Sequence, residues 1–410
     1  MSVARNNATV FCLFLVVSVS VLLLMGCESP NSVGGSFTDP GTEVRDTVFS
    51  VSNVETDSFA TFSGGLSFFS AGQFNDPLFG NVTATSLIKP TLPNVFSTNT
   101  LSENVEMNLR LVVDSTSKAN IYGDTVSTAQ FDLIEIDEIW RSRAWELYDE
   151  ILLSQNQVGS FQIDQDSDSI EVALDSEWSS RYVSYYNAIS ANRDSLYLYD
   201  FNGLAVVPRN ESKIIPFSPN NVRFEIIDNE DTDTSSVTIS QWAYSVERTN
   251  TQSPPTGSSK SISTFEKVYK FDLNLSQEDL GTANISKVEL VVYQNDDLLE
   301  STINQVATTA NRPEISSADL YVSNPQSLPD FFRTGNPIST ANYNKTSGSY
   351  RFDITRYTNS VLVDGVSENN SFYITVGSND GLLKSGLLYN NDAPEDKRPK
   401  LIVTYINKES

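Results

Sequence analysis

The sequence predicts an all-β protein built as two jelly-roll-like antiparallel sandwich halves with one or two short helices. Three observations carry that prediction. Apolar residues alternate with polar ones over short stretches, as in Leu109/Leu111/Val113, Val288/Leu290/Val292 and Phe372/Ile374/Val376. Such period-two patterning marks strands with one face buried and one wet. Gly, Asn, Asp and Pro interrupt these stretches at short intervals, as antiparallel connections require. Finally, segments of the chain resemble one another at a nearly constant offset: IEVALDSEW (170–178) matches GSYRFDITR (348–356), and LYLYDFNGL (196–204) matches ITVGSNDGL (374–382). RFEII (223–227) falls within one residue of KLIVT (400–404) at the same spacing, and the strand around Leu111 meets that around Leu290.

Before the first strand comes an address. Arg5 and the α-amine form a short positive region, and Val10–Leu24 is apolar apart from Ser18 and Ser20. A membrane-spanning helix needs about 18 to 20 apolar residues, so this stretch has the length of a signal-peptide core. It closes with Leu24-Met25-Gly26-Cys27. That ending resembles the lipobox of bacterial lipoproteins, which implies cleavage of a signal at 1–26 and lipid on Cys27. Residues 27–40 then read as the lipidated cysteine and a flexible tether rich in Ser, Gly, Pro and Asn. A coil of that length spans about 20 Å root-mean-square, which keeps the folded part near a membrane without embedding it.

The first half is expected over 41–250. Gly64-Gly65 between SFATF and LSFF reads as a tight hairpin, and Asn75-Asp76-Pro77-Leu78-Phe79-Gly80 as a turn in which Pro77 presets φ and Gly80 relieves the exit. Trp140–Leu153 has a weak helical pattern. A stronger one runs through WSSRYVSYYNAI, where Trp178, Tyr182, Tyr185/Tyr186 and Ile189 recur at helical spacing. Asp175 and Asp353 stand where a strand gives way to such a segment, so both read as helix caps accepting orphan backbone N–H groups. TNTQSPPTGSSKS (249–261) is the expected boundary, and the second half follows over 261–408.

Composition narrows the chemistry. The chain of 410 residues has no histidine and only Cys12 and Cys27, one lost with the signal and one taken by lipid. Imidazole bases, Cys nucleophiles and Cys/His zinc sites are therefore out of reach. A net charge of −25 argues against nucleic acid and against adhesion to anionic lipid. The sharpest site-like cluster is Asp164, Asp166 and Asp168, whose carboxylates at alternate positions are a candidate calcium loop. Ser169 and Asp175 stand where an EF-hand loop wants Gly and Glu, so a solvated hairpin tip is the plainer reading. Asp228–Asp233 is a second acidic run of that kind. Trp140, Trp145, Trp178 and Trp242 are the candidates for stacking on sugar, against the commoner use of such rings as core.

Two resemblances extend this reading. The segment SAGQFNDPLFGNVTATSLIKPTL (70–92) followed by LYLYDFNGLAVVP (196–208) resembles a family of Bacteroidota lipoproteins catalogued as domain of unknown function 4270. That resemblance implies an envelope location and a β fold, and carries no functional residues. The C-terminal half, from SYRFDITRYTNSVLVDG (349–365) to RPKLIVTY (398–405), is similar to carbohydrate-binding-type jelly rolls of the DNRLRE class, although the DNRLRE string is absent. Together they imply a lipid-anchored protein of the outer membrane with a non-catalytic role in binding or envelope organisation. A glycan or an envelope protein is the expected partner. No cofactor is called for, calcium being the one candidate ion. The alternatives are a carboxylate-dependent glycoside hydrolase or calcium-assisted lyase, and a structural partner of a secretion or gliding apparatus.

Overall fold

A computed structural model describes residues 42–408 except 60, 95–99, 103, 229–232, 274–283, 324–335, 365–370 and 378–379. The expected signal, Cys27 and the expected tether lie outside the described residues, as does most of the Asp228–Asp233 run. The fold is all-β, made of a nine-stranded and a twelve-stranded antiparallel sheet with a two-stranded ribbon. Five short helices accompany them among the described residues: α1 Ser115–Ala119, α2 Ser176–Asn187, α3 Arg193–Asp200, α4 Asp296–Val306 and α5 Thr355–Asp364. None of the described helices is long and apolar enough to cross a membrane.

The internal repeat is visible as topology. Val105–Val112 lies between Val222–Asp228 and Ser169–Ala173, and Asn284–Tyr293 lies between Lys400–Lys408 and Ser349–Asp353. In each unit the strand that follows the central one leads into a helix, α2 or α5, which packs back on the central strand. The remaining match fails: LYLYDFNGL supplies α3 whereas ITVGSNDGL supplies strand Ser371–Val376. Packing decides the difference. Tyr197 on α3 is buried against Tyr182 and Phe201, while Ile374 pairs on both sides within the nine-stranded sheet.

Alternation places the cores as the sequence indicates. Leu109, Leu111 and Val113 are buried in one core, and Val288, Leu290 and Val292 in the other. The wet face expected of the strand Ser371–Val376 is dry, however. Tyr373 is covered by Phe265, Val268 and Tyr321, with Phe59 at its edge, so both faces of that strand carry packing.

Two chain segments depart from the division at 250. Thr42–Ser50 and Ser52–Asp57, expected in the first half, pair with Lys400–Lys408 and Val268–Asp272 of the second sheet. They stand at opposite ends of the nine-strand order yet are joined through buried Val51 alone. The sheet must therefore curl until its two ends meet, which closes it into a sandwich around the Tyr269/Leu290/Phe352 core. Asn53 makes the corner with φ 50°, a conformation Asn tolerates, and its side chain is held by Asp272 at 2.8 Å. In the opposite direction, Ala310–Asn311 pairs with Tyr122–Asp124 at the edge of the first sheet.

The expected linker is also only half a linker. Ser258–Ile262 is a fully buried strand paired with Ser385–Tyr389. Its polar composition suggests exposure, but the ladder satisfies its backbone and Lys260 finds carbonyl partners at Leu78 and Gln252. Gly64-Gly65 is a turn but not a hairpin, because the nearest strands on either side, Ser52–Asp57 and Phe69–Asp76, belong to different sheets. A Cβ at Gly64 would sit 1.6 Å from the Ser142 carbonyl oxygen, which explains the glycine by close approach.

Candidate functional site

The turn at 75–80 organises the most heavily charged part of the interior. Asp76 closes strand Phe69–Asp76, and its Oδ1 accepts the N–H groups of Leu78 and Phe79 at 2.8 and 3.0 Å. Gly80 opens the next strand at φ 83°, and a Cβ there would lie 2.4 Å from the Thr249 carbonyl. The turn residues thus have the roles the sequence gives them, and the aspartate has a further one. Arg312 donates to it through Nε at 2.6 Å and Nη2 at 2.8 Å, and the Tyr122 hydroxyl donates to Oδ2 at 2.7 Å. Arg312 also reaches the Leu299 carbonyl at the α4 turn. Burial alone would raise the Asp76 carboxyl, but the hydrogen bonds and charge of Arg312, with the Phe79 N–H and Tyr122, hold it below its ordinary value.

Phe79 carries the charge onward. Arg312 and Lys260 each stand 5.5 Å from its ring centroid, a cation–π geometry on both counts. Beyond Lys260 lies a second buried pair. Arg248, near the end of strand Asp233–Thr249, donates Nε to both carboxylate oxygens of Glu266 at 2.7 and 2.9 Å. Their side chains are 7% and 5% exposed. Thr264 adds a second donor and a third hydrogen bond to Glu266, at 2.7 Å. Burial pushes Glu266 up to about 8, opposed by the charge of Lys267, and the guanidinium at 2.7 Å favours its ionised form. Burial likewise pushes the Arg248 and Lys260 cations down from their ordinary values.

Beyond Glu266, the Arg248 Nη1 and Nη2 atoms are sealed from solvent, and the Tyr122 hydroxyl favours the charged form of the guanidinium. Arg248 lines a cavity of about 190 Å³ whose walls include Phe79, Pro254, Ile262, Lys260 and Lys267. Arg248, Arg312, Lys260 and Lys267 stand against Asp76 and Glu266, four cations to two carboxylates, in a chain whose net charge is −25. Such an arrangement can receive an anion, and it is assembled from parts far apart in sequence. Thr56 comes from the second sheet, Phe79 and Arg248 from the first, and Thr251, Gln252 and Pro254 from the segment between the halves. Sequence reasoning missed it because only the 75–80 turn leaves a local signal.

The residues singled out by sequence fall elsewhere. Asp175 caps α2, accepting the N–H groups of Glu177 and Trp178 at 3.0 Å each. Asp353 accepts the N–H and hydroxyl of Thr355, the first residue of α5, at 2.9 and 2.6 Å. Asp164, Asp166 and Asp168 are exposed between two strands of the first half. Asp164 is hydrogen-bonded to Thr128 at 2.5 Å and Asp168 is paired with Lys118. No group of three or more Asp, Glu, His or Cys among the described residues is placed to hold a metal ion, so these carboxylates do not converge on a calcium site.

The tryptophans give no open stacking strip. Trp178 is fully buried between Phe201 and Phe224, and Trp242 donates Nε1 to the Leu66 carbonyl at 2.8 Å. Trp140 and Trp145 lie across the first sheet with Leu87, Ala205 and Ala243. Their indole N–H groups are fixed by the Asn202 carbonyl and the Ser245 hydroxyl. That crosswise anchoring replaces the helix expected over 140–153, where only the 3₁₀ turn Ser142–Ala144 forms. Ile189, expected on the apolar face of α2, lies past the helix end and is 84% exposed.

A larger cleft of about 380 Å³ contains Asp296, Glu300, Glu314 and Tyr343. Its carboxylates have company: Asp296 accepts from Gln294 at 2.7 Å and from Tyr343, and Glu314 pairs with Lys345 at 2.9 Å. No protein-family model matches the chain, and none of the curated proteins compared with it matches either.

Proposed function

We propose that this chain is a lipid-anchored lipoprotein of the outer membrane that binds a ligand without transforming it, through the cavity beside the 75–80 turn. The observation that carries the reading is a cavity of about 190 Å³ beside the 75–80 turn, lined by Phe79, Lys260, Lys267 and the Arg248–Glu266 pair.

The anchor rests on the Leu24-Met25-Gly26-Cys27 ending, and the envelope location on it and on the resemblance to the Bacteroidota family. A glycan or an envelope protein remains the proposed bearer of the ligand group. Metabolic labelling with a palmitate analogue tests the anchor. Wild type should take the label and sediment with membranes, and Cys27→Ser should do neither; equal labelling of both would remove the lipid from the proposal. The binding role is tested by a glycan array together with crosslinking in intact cells. Release of product from any glycan on that array would favour the carboxylate-dependent hydrolase instead, with the Asp296/Glu314 cleft as the place to mutate first.

A further inference from the structure

We infer that a groove of about 640 Å³, between residues 148–153 and the outer face of the first sheet, binds a short neutral oligosaccharide. The inference goes beyond the cavity proposed above, with which this groove shares only Arg248. Its floor is a ladder of outward-facing residues. Thr85 stands opposite Ser245 and Thr83 opposite Glu247 on the neighbouring strands Gly80–Pro90 and Asp233–Thr249. Their chain neighbours Val82, Ala84, Tyr244 and Val246 are buried on the other face, so strand alternation turns the floor residues outward.

The wall is a fixed turn that presents one aromatic ring. Leu147 is buried; its N–H donates to the Thr61 carbonyl at 2.8 Å, and its carbonyl accepts the Val246 N–H at 2.7 Å. Ser245 then ties the turn to the floor, donating to the Asp149 carbonyl at 2.7 Å and accepting from the Trp145 indole at 2.9 Å. Between these two clamps stands Tyr148, 47% exposed and, among the described residues, without a ring contact or a side-chain hydrogen bond. It is the open aromatic that the tryptophans do not supply, and it is held in place before a ligand arrives.

The groove offers donors and acceptors together. The hydroxyls of Thr83, Thr85 and Tyr148 serve as either, the carboxylates of Glu150 and Glu247 accept, and none of the five is paired among the described residues. A pyranose matches all of this. Its hydroxyls donate to the carboxylates and accept from the hydroxyls, and its C–H face, weakly positive, lies on the negative face of the tyrosine. A cationic peptide would suit the carboxylates but brings ammonium and guanidinium groups that only donate. An acidic sugar would be repelled by Glu150 and Glu247, since the charge of Arg248 is committed to Glu266. The volume lies inside the about 300–1,000 Å³ of small-molecule sites, which makes a short oligosaccharide the fitting size.

The experiment uses the lipid-free chain from residue 28 onward, which retains every described residue. Titration calorimetry is run with cellotetraose, maltotetraose, mannotetraose and chitotetraose, and with tetragalacturonate and tetralysine as charged counterparts. At least one neutral tetrasaccharide should bind saturably and more tightly than either charged oligomer. Tyr148→Ala should weaken that binding about tenfold or more at an unchanged melting temperature, whereas Tyr148→Phe keeps the ring and most of the affinity. Glu150→Gln, at an exposed and unpaired side chain, is made beside it and should weaken binding as well. Thr251→Trp fills the smaller cavity and should leave the affinity unchanged.

Saturable binding of none of the four neutral tetrasaccharides would overturn the inference, as would tighter binding of tetralysine or tetragalacturonate. Wild-type affinity in both Tyr148→Ala and Glu150→Gln would do the same. Loss of binding in Thr251→Trp would move the ligand to the smaller cavity, which overturns the groove while leaving the binding role proposed above standing.

Discussion

Replacing Arg312 with methionine isolates a deeply buried charge, the Asp76 carboxylate. Arg312 and Asp76 are 7% and 0% exposed, and the guanidinium provides two of the five hydrogen bonds the carboxylate accepts. Methionine keeps much of the volume but leaves the carboxylate with Tyr122 and two backbone donors. Removing one partner of a buried ion pair destabilises by about 3–5 kcal/mol, because the remaining charge stays desolvated. The pH dependence gives the sharper test. In wild type Asp76 is held below its ordinary value, so its contribution is present above the unfolded pKa near 3.8 and is lost as pH falls through the lower folded value. Without Arg312 the Phe79 N–H and Tyr122 are left to oppose burial, the largest influence on the group, so the carboxyl should be raised. The loss should then be largest near pH 7 and shrink towards pH 4, where a neutral carboxyl is tolerated. Urea unfolding followed by tryptophan fluorescence at both pH values measures it. A loss below about 1 kcal/mol at pH 7, or one that does not change with pH, would refute the reasoning.

Other outcomes follow from single contacts. Gly80→Ala places a methyl 2.4 Å from the Thr249 carbonyl at φ 83° and should destabilise by about 2 kcal/mol or more in a thermal melt. Lys89, buried with its ammonium on the Tyr197 and Leu198 carbonyls, is pushed down to about 8 by burial and by the charge of Arg141. The folded state therefore holds fewer protons than the unfolded chain between about pH 8 and 10.4, and stability from this group rises with pH across that window. Lys89→Met should remove that rise in denaturation profiles recorded from pH 7 to 10. Replacing Asp164, Asp166 and Asp168 together by Asn should leave the melting temperature insensitive to millimolar calcium, as in wild type; a calcium-dependent shift confined to wild type would restore the ion site.

Local chemistry was legible in the sequence, and long-range pairing was not. The alternation at Leu109/Leu111/Val113, the cap at Asp175 and the turn at Asp76–Gly80 each depend on neighbours within a few residues, and each stands where the pattern puts it. The offset between the halves survived as a strand–helix unit because strand packing preserves face and order. It broke at LYLYDFNGL, whose apolar spacing suits a helix and a strand alike. The assignment of 42–57 to the second sheet depends on partners more than 200 residues away, and no local signal marks it. The Asp76–Arg312 pair spans 236 positions, and Arg248 reads in sequence as one more surface charge at the end of a strand. Burial, which gives both their meaning, is a property of the assembled sandwich.

The closing strand has a consequence in time. Thr42–Ser50 pairs with Lys400–Lys408, so the first strand of the fold to leave a ribosome or a translocon waits for the last. Until then the nine-stranded sheet lacks its Thr42–Ser50 edge, whereas the opposite edge, Ser52–Asp57, needs only Val268–Asp272. The first sheet suffers no such delay except at its Ala310–Asn311 edge. A chain made N-terminus first holds Thr42–Ser50 unpaired until the final strand arrives, which ties completion of the second sandwich to Lys400–Lys408.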